Sequence, residues 1–177
     1  RLSGGMKQKL ALACTLVHTP RIVFLDEPTT GVDPVSRRDF WRILSGLLRT
    51  GLTIVLTTPY MDEAERCSLV GMMDKGRLLA YDSPGAIRSL MKGRVIELVC
   101  AAARDSARRL SRIAEVREVQ AFGDRLNILV DDAGRDWPKV RRELEQGGMN
   151  CSRWREISPS LENVFISLMK QRSGNIE

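Results

Sequence analysis

Two adjacent carboxylates, Asp26 and Glu27, close a short apolar run, Ile22-Val23-Phe24-Leu25. Such a run reads as a strand, and carboxylates at the C-terminal end of a strand in a parallel sheet stand at the edge where ligands bind. There, one carboxylate can hold Mg²⁺ through its waters while its neighbour acts as general base toward a nucleophilic water. The same pair could equally cap the turn into Pro28 and do nothing more. A second group with chemical potential is Leu2-Ser3-Gly4-Gly5, directly ahead of a helical pattern. Glycines let backbone approach a phosphate closely, a helix N-terminus presents N–H groups with a positive dipole, and Ser3 adds a hydroxyl donor.

The surrounding pattern supplies the elements that position these groups. Met6, Leu10, Leu12, Ala13, Leu16 and Val17 give residues 6–18 an apolar helical face, capped by Ser3-Gly4-Gly5 and ended by Pro20. Ile22–Leu25 is a buried strand, residues 29–35 a loop, and Ser36–Leu48 a helix stopped by Thr50-Gly51. Thr53–Thr57 is β-branched and apolar, a second buried strand. A short acidic helix covers 61–66, and Leu69–Met73 with Arg77–Tyr81 flank Asp74-Lys75-Gly76 as a hairpin. Strand, helix, strand with apolar strands predicts a parallel α/β sheet. From Gly93 the rhythm changes to strand 94–100, helix 105–113, strands 116–122 and 125–130, helix 136–146 and strand 151–157, with a last helix over 161–169. The order βαββαβ predicts a ferredoxin-like α+β domain, an antiparallel sheet with helices on one face. The expected division is residues 1–92 and 93–177.

Ser3-Gly4-Gly5, a helix, then Ile22–Thr29, then Gly31-Val32-Asp33-Pro34 together resemble the ATP-binding cassette (ABC) ATPases. By that resemblance Leu2–Met6 is the signature motif, Ile22–Glu27 the Walker B strand and Thr30–Asp33 the D-loop. Thr57–Glu65 corresponds to the switch region, and Met72–Pro84 to the hairpin after it. The resemblance covers nearly all of residues 1–92. It implies a P-loop NTPase-like fold, ATP and Mg²⁺ as ligands, and two cassettes sandwiching two nucleotides. Ser3, Gly4 and Gly5 would grip the γ-phosphate of nucleotide on the opposite cassette. Asp26 would position Mg²⁺, Glu27 would orient the attacking water, and Asp33 would link the two sites.

The sequence departs from that family at two places. No GxxxxGK[ST] phosphate loop, A-loop aromatic or Q-loop occurs in the chain. Those motifs lie upstream of the signature in the family, so the chain reads as the C-terminal portion of a cassette. In Thr57-Thr58-Pro59-Tyr60, Pro59 occupies the position of the family's switch histidine. Proline has neither a side-chain donor nor an N–H, so it cannot contact a γ-phosphate as imidazole would. His18, the sole histidine, lies before Walker B and reads as a helix-end residue.

A βαββαβ module ending Ser158-Pro159-Ser160-Leu161-Glu162-Asn163-Val164-Phe165 resembles the C-terminal extension of multidrug-type ABC-2 exporters. The expected partners are therefore a transmembrane permease and a second cassette, at the cytoplasmic face of the membrane. A regulatory cassette that binds ATP without efficient hydrolysis, and an ABC ATPase that moves nothing, are the alternatives. The composition agrees: 43% hydrophobic and 28% charged residues suit a globular chain, and no apolar run reaches the ~18 residues of a membrane span. The net charge of +6 is spread out, with no basic arm, and Trp137 and Trp154 read as core or interface anchors, so nucleic acid is not expected. Cys14, Cys67, Cys100 and Cys151 form no metal-ligand or disulfide spacing, and Cys14 and Cys100 read as small core residues in a reducing compartment.

Overall fold

The computed structural model describes residues 2–100, 103–148 and 151–173. Contacts divide the chain into two compact units, residues 1–64 and 65–177.

The first unit is built from α1 (Gly4–Leu16), β1 (Ile22–Asp26), α2 (Pro34–Leu48), β2 (Thr53–Thr57) and α3 (Met61–Ala64). β1 and β2 pair in parallel, in register from Ile22↔Thr53 to Asp26↔Thr57, so both strands end at the same edge. The connection between them is α2, as a parallel pair requires. Asp33 caps α2, accepting N–H bonds from Val35 (3.1 Å) and Ser36 (2.9 Å), and Pro34 enters the first turn where its missing N–H costs nothing. One stripe of α2 buries Phe40, Trp41 and Leu44.

Burial corrects two expectations. Side chains alternate along a strand, and here Val23 is buried while Phe24 is 75% exposed, with Ile22 and Val55 open on the same face. The two strands are thus buried on one side, not both. On α1 the glycine Gly5 and Leu12 are buried, whereas Met6, Leu10, Val17 and Cys14 are exposed. Of the apolar residues expected to face a core, Leu12 is buried and Leu16 half-buried, whereas Met6, Leu10 and Val17 have no cover among the described residues.

The second unit opens with the hairpin β3 (Val70–Asp74) and β4 (Arg77–Asp82), joined by Lys75 and Gly76, both at positive φ as a two-residue turn demands. A short helix that the pattern did not foretell, α4 (Pro84–Arg88), follows under a Ser83 cap. Then come β5 (Arg94–Cys100), α5 (Ala103–Leu110), β6 (Val116–Phe122), β7 (Arg125–Val130), α6 (Ala133–Gln146) and β8 (Cys151–Ile157). These strands form one antiparallel sheet in the order β6-β7-β5-β8. One face of it, carrying Ile96, Leu98, Leu126, Ile128 and Val130, packs with Leu110, Trp137, Val140 and Leu144 from α5 and α6. The Trp137 and Trp154 rings meet at 4.8 Å between centroids; Trp137 is a core residue, whereas Trp154 is 50% exposed. α6 begins three residues earlier than the pattern suggests because Asp132 caps it through the Arg135 N–H.

The other face of the sheet is met by α7 (Leu161–Ser173), a helix longer than expected. Asn163 and Gln120 exchange two hydrogen bonds there: the Asn163 amide donates to Gln120 Oε1 at 2.6 Å, and Gln120 Nε2 donates to the Asn163 carbonyl at 3.0 Å. Helices therefore lie against both faces, where the sequence predicted one. The N–H of Leu161 donates to Glu65, and Asp74 pairs with Arg172, so the hairpin region and α7 belong to the same compact unit. Cys100 is disulfide-bonded, in contrast to the isolated core thiol read from the sequence. The side chain of Cys151 lies outside the described residues.

Candidate functional site

At the shared edge of β1 and β2, Asp26 and Thr57 are direct neighbours in register. The Thr57 hydroxyl donates to Asp26 Oδ1 and accepts from the Glu27 N–H at 2.9 Å. One hydroxyl thus fixes one oxygen of the first carboxylate and the backbone of the second. Asp26 is exposed, and Thr57 engages only its Oδ1.

Glu27 sits at φ 41°, in the left-handed region that disfavours a residue with a Cβ by about 1–2 kcal/mol. Strain of this kind persists where the surroundings over-determine it, which is characteristic of functional sites. The surroundings here are visible. Thr57 holds the Glu27 amide, the Thr30 N–H returns to the Glu27 carbonyl at 3.1 Å, and the Thr30 hydroxyl donates to Glu27 Oε2 at 3.1 Å. The carboxylate is thereby aimed along its own loop.

The signature segment meets the D-loop segment. Ser3 caps α1, its hydroxyl oxygen accepting the Met6 N–H at 3.3 Å. Gly4 and Gly5 follow within the first turn, whose N–H groups lack intrahelical partners. A Cβ on Gly4 would lie 3.3 Å from the Gly31 carbonyl oxygen, and one on Gly5 would lie 2.6 Å from Ser36 Oγ. The second glycine is required by packing against α2, a reason that the sequence reading, which assigned both glycines to phosphate approach, did not contain. Asp33, between the two, has its carboxyl lowered from the ordinary range by the Ser36 backbone and side-chain hydrogen bonds.

Pro59 is exposed in the link from β2 to α3. It offers no donor, but both neighbours are engaged. Thr58 Oγ1 accepts the Tyr60 N–H at 3.1 Å and donates to Glu63 at 2.7 Å. Glu63 is fully buried and also accepts from Thr29 (2.8 Å) and Arg37 (2.5 Å), while Arg37 reaches Asp62 and lies over the Tyr60 ring. Burial pushes the Glu63 carboxyl up. Hydrogen bonds from Trp41, Thr58, Thr29 and Arg37 outweigh it and hold the group below the usual carboxylate value, hence ionised at neutral pH.

The structure thus gathers Asp26, Glu27 and the Pro59 link at one strand edge, and Ser3, Gly4 and Gly5 against the start of α2. The loop from Glu27 to Asp33 joins the two groups. Sequence reading missed Thr57, Thr29, Thr58, Glu63 and Arg37. The signal was present as two Thr-Thr pairs, Thr29-Thr30 in the loop after β1 and Thr57-Thr58 at the end of β2, ahead of a short helix that carries Asp62 and Glu63.

Among the described residues, no cluster of three or more potential ligands forms a metal cage. Asp26 fits the other mode, in which Mg²⁺ keeps most of its waters and takes one or two carboxylates plus the phosphates of a substrate. No helix is long and apolar enough to cross a membrane among the described residues.

Comparison with known proteins shows what the chain is similar to. The ABC transporter family model matches residues 1–30. A daunorubicin resistance ATP-binding protein of Streptomyces coeruleorubidus is 35% identical over 182 residues, covering 100% of this chain and 56% of that protein. Nod factor export ATP-binding protein I of Rhizobium sp. (strain N33) is 38% identical, over 94% of this chain and 53% of its own length. A daunorubicin/doxorubicin resistance ATP-binding protein of Streptomyces peucetius is 34% identical, over 94% and 52%. The chain spans about half the length of these curated relatives.

Proposed function

The chain belongs to the ATP-binding proteins of ABC transporters, in the group that includes the daunorubicin-resistance and Nod-factor-export proteins, and from that premise we propose that it serves an ATP-hydrolysing subunit that energises an ABC-2-type exporter. The observation that carries this reading is the Asp26–Thr57–Glu27 arrangement, in which one hydroxyl orders two adjacent carboxylates at the ligand edge of a parallel strand pair.

Each residue has a distinct task in this reading. Asp26, with Oδ1 on Thr57, holds a hydrated Mg²⁺. A Mg²⁺ held there would supply charge neutralisation for the nucleotide's phosphates. Glu27 accepts a hydrogen bond from the attacking water and takes its proton as the water's oxygen bonds to the γ-phosphorus and the bond from that phosphorus to the β,γ-bridging oxygen breaks, ADP leaving with the bridging oxygen. The products are ADP and inorganic phosphate. Ser3, Gly4 and Gly5 present a hydroxyl and free helix N–H groups to the γ-phosphate of nucleotide on a second cassette. Asp33 carries the D-loop between the two sites. The phosphate loop is not among these 177 residues, so the main cradle for ATP comes from elsewhere in the whole protein.

The βαββαβ unit has the strand order of a ferredoxin-like fold, and we assign it as the accessory domain of this exporter class, with the family-level boundary near residue 92. The partners in this reading are a transmembrane permease and a second cassette, and the place is the cytoplasmic face of the membrane. Nucleic acid is not a partner in this reading.

One observation favours a second reading. Pro59 leaves the switch position without a donor, which would suit a regulatory cassette that binds ATP and hydrolyses it poorly. Glu27→Gln in the full-length protein tests between them. Loss of a positioned base lowers turnover by about 10²–10⁴ while ATP binding persists. Turnover equal to the parent's removes Glu27 from the mechanism, and a parent that binds ATP without hydrolysing it establishes the regulatory reading.

A further inference from the structure

We infer that Glu63 is the positioning residue that locks the loop carrying Glu27 to the link carrying Pro59, so that the two move as one. This rests on the hydrolytic reading for its consequence and on geometry for its substance.

The side chain is fully buried, and Thr29, Arg37 and Thr58 donate hydrogen bonds to it. Its two oxygens serve different loops. Oε1 accepts from Thr29, two residues beyond Glu27, and Oε2 accepts from Thr58, the residue before Pro59. Thr29 is itself buried, and its carbonyl accepts the Val32 N–H at 3.1 Å, so it anchors the turn that follows the strained Glu27 backbone. Thr58 passes the constraint on, because its hydroxyl also accepts the Tyr60 N–H and so brackets Pro59 from both sides. Arg37, reaching from α2, neutralises the carboxylate with its Nε.

A buried ion is retained at such cost when each partner is satisfied, and here every partner lies on an element that borders the site. Proline at position 59 sharpens the point. Proline fixes its own φ but makes no side-chain hydrogen bond, so the link is tied to the rest of the site through Thr58, which bonds both the Tyr60 N–H and Glu63.

The test uses the full-length protein with Glu63→Gln, and with Thr29→Val and Thr58→Val, which keep side-chain shape and remove one donor each. Two readouts are taken: ATP hydrolysis, and amide hydrogen exchange in residues 27–32 and 58–60. Glu63→Gln is expected to lower kcat tenfold or more with KM for ATP within twofold, and to raise exchange in both segments. Thr29→Val is expected to raise exchange in 58–60 as well as in its own loop, and to add nothing when combined with Glu63→Gln. If Glu63→Gln does not fold, the two threonine variants carry the test by the same crosswise exchange. Loosening confined to the mutated loop overturns the inference, as does unchanged kcat in a folded Glu63→Gln protein. A parent that hydrolyses no ATP defeats the hydrolytic reading alone, since crosswise exchange still decides whether Glu63 joins the loops.

Discussion

Gly5 packs so closely on Ser36 that a Cβ added to it would lie 2.6 Å from the serine Oγ and closer still to its Cβ. The signature turn and the start of α2 are therefore a single packed corner, and the position that grips phosphate in the proposed mechanism is set by the D-loop's helix.

Gly5→Ala tests that corner. Alanine is favoured over glycine inside a helix by about 1 kcal/mol, so a destabilised variant points to steric conflict and not to propensity. Overpacking of this kind costs about 1–3 kcal/mol. The expected outcome is a lower Tm in Gly5→Ala and recovery in Gly5→Ala/Ser36→Gly, which removes the opposing Cβ. A Tm equal to or above the parent's would show that the corner yields.

Pro59→His addresses the departure from the family pattern. Imidazole restores a donor at the switch position, and the contact strengthens as charge develops on the transferring phosphoryl group. The gain is expected in kcat more than in KM. Because Thr58 and Tyr60 are already ordered through Glu63, the new residue enters a prepared link. A well-folded variant with unchanged hydrolysis would favour the regulatory cassette.

The 177-residue chain by itself is expected neither to bind Mg-ATP tightly nor to hydrolyse it. Asp26 and the N-terminal turn of α1 offer few of the phosphate contacts that a phosphate loop supplies. Calorimetric titration with Mg-ATP checks this. Micromolar binding with turnover would show that the phosphate loop is dispensable.

Acid stability of the second unit is expected to depend on Asp136. The Arg135 guanidinium first, then the Asp132 N–H, bring its carboxyl from the ordinary 3.8 down to about 2. A folded-state value below the unfolded one means that the native state binds fewer protons. Its stabilisation is present above about pH 4 and is lost as the pH falls toward 2. Asp136→Asn should flatten that limb of the stability–pH curve between pH 4 and 2, measured by denaturant unfolding. An unchanged slope would show that Asp136 is not its source.

Much of the molecule was legible because short-range chemistry wrote it. The succession of strands and helices over residues 94–157 was read from apolar runs and from turn residues such as Gly123-Asp124, and β1 and β2 pair in parallel with Asp26 at their shared end. Ser3, Asp26, Glu27 and Asp33 stood out through their resemblance to the motifs of a known family, and their roles belong to the proposed function. Burial was another matter. Phe24 and Leu10 are apolar in sequence and exposed in the structure, because hydrophobicity states a preference and only the presence of a neighbouring element satisfies it. The role of Glu63 was equally hidden. Its partners Thr29, Arg37 and Thr58 lie 34, 26 and 5 residues away, and no local periodicity encodes a carboxylate shared between loops that meet only when β1 and β2 pair. Sequence alone determined which residues could do chemistry, through the types and order of its motifs. Tertiary structure decided which of them are held in place, since a hydrogen bond between distant residues exists only after the chain has closed around it.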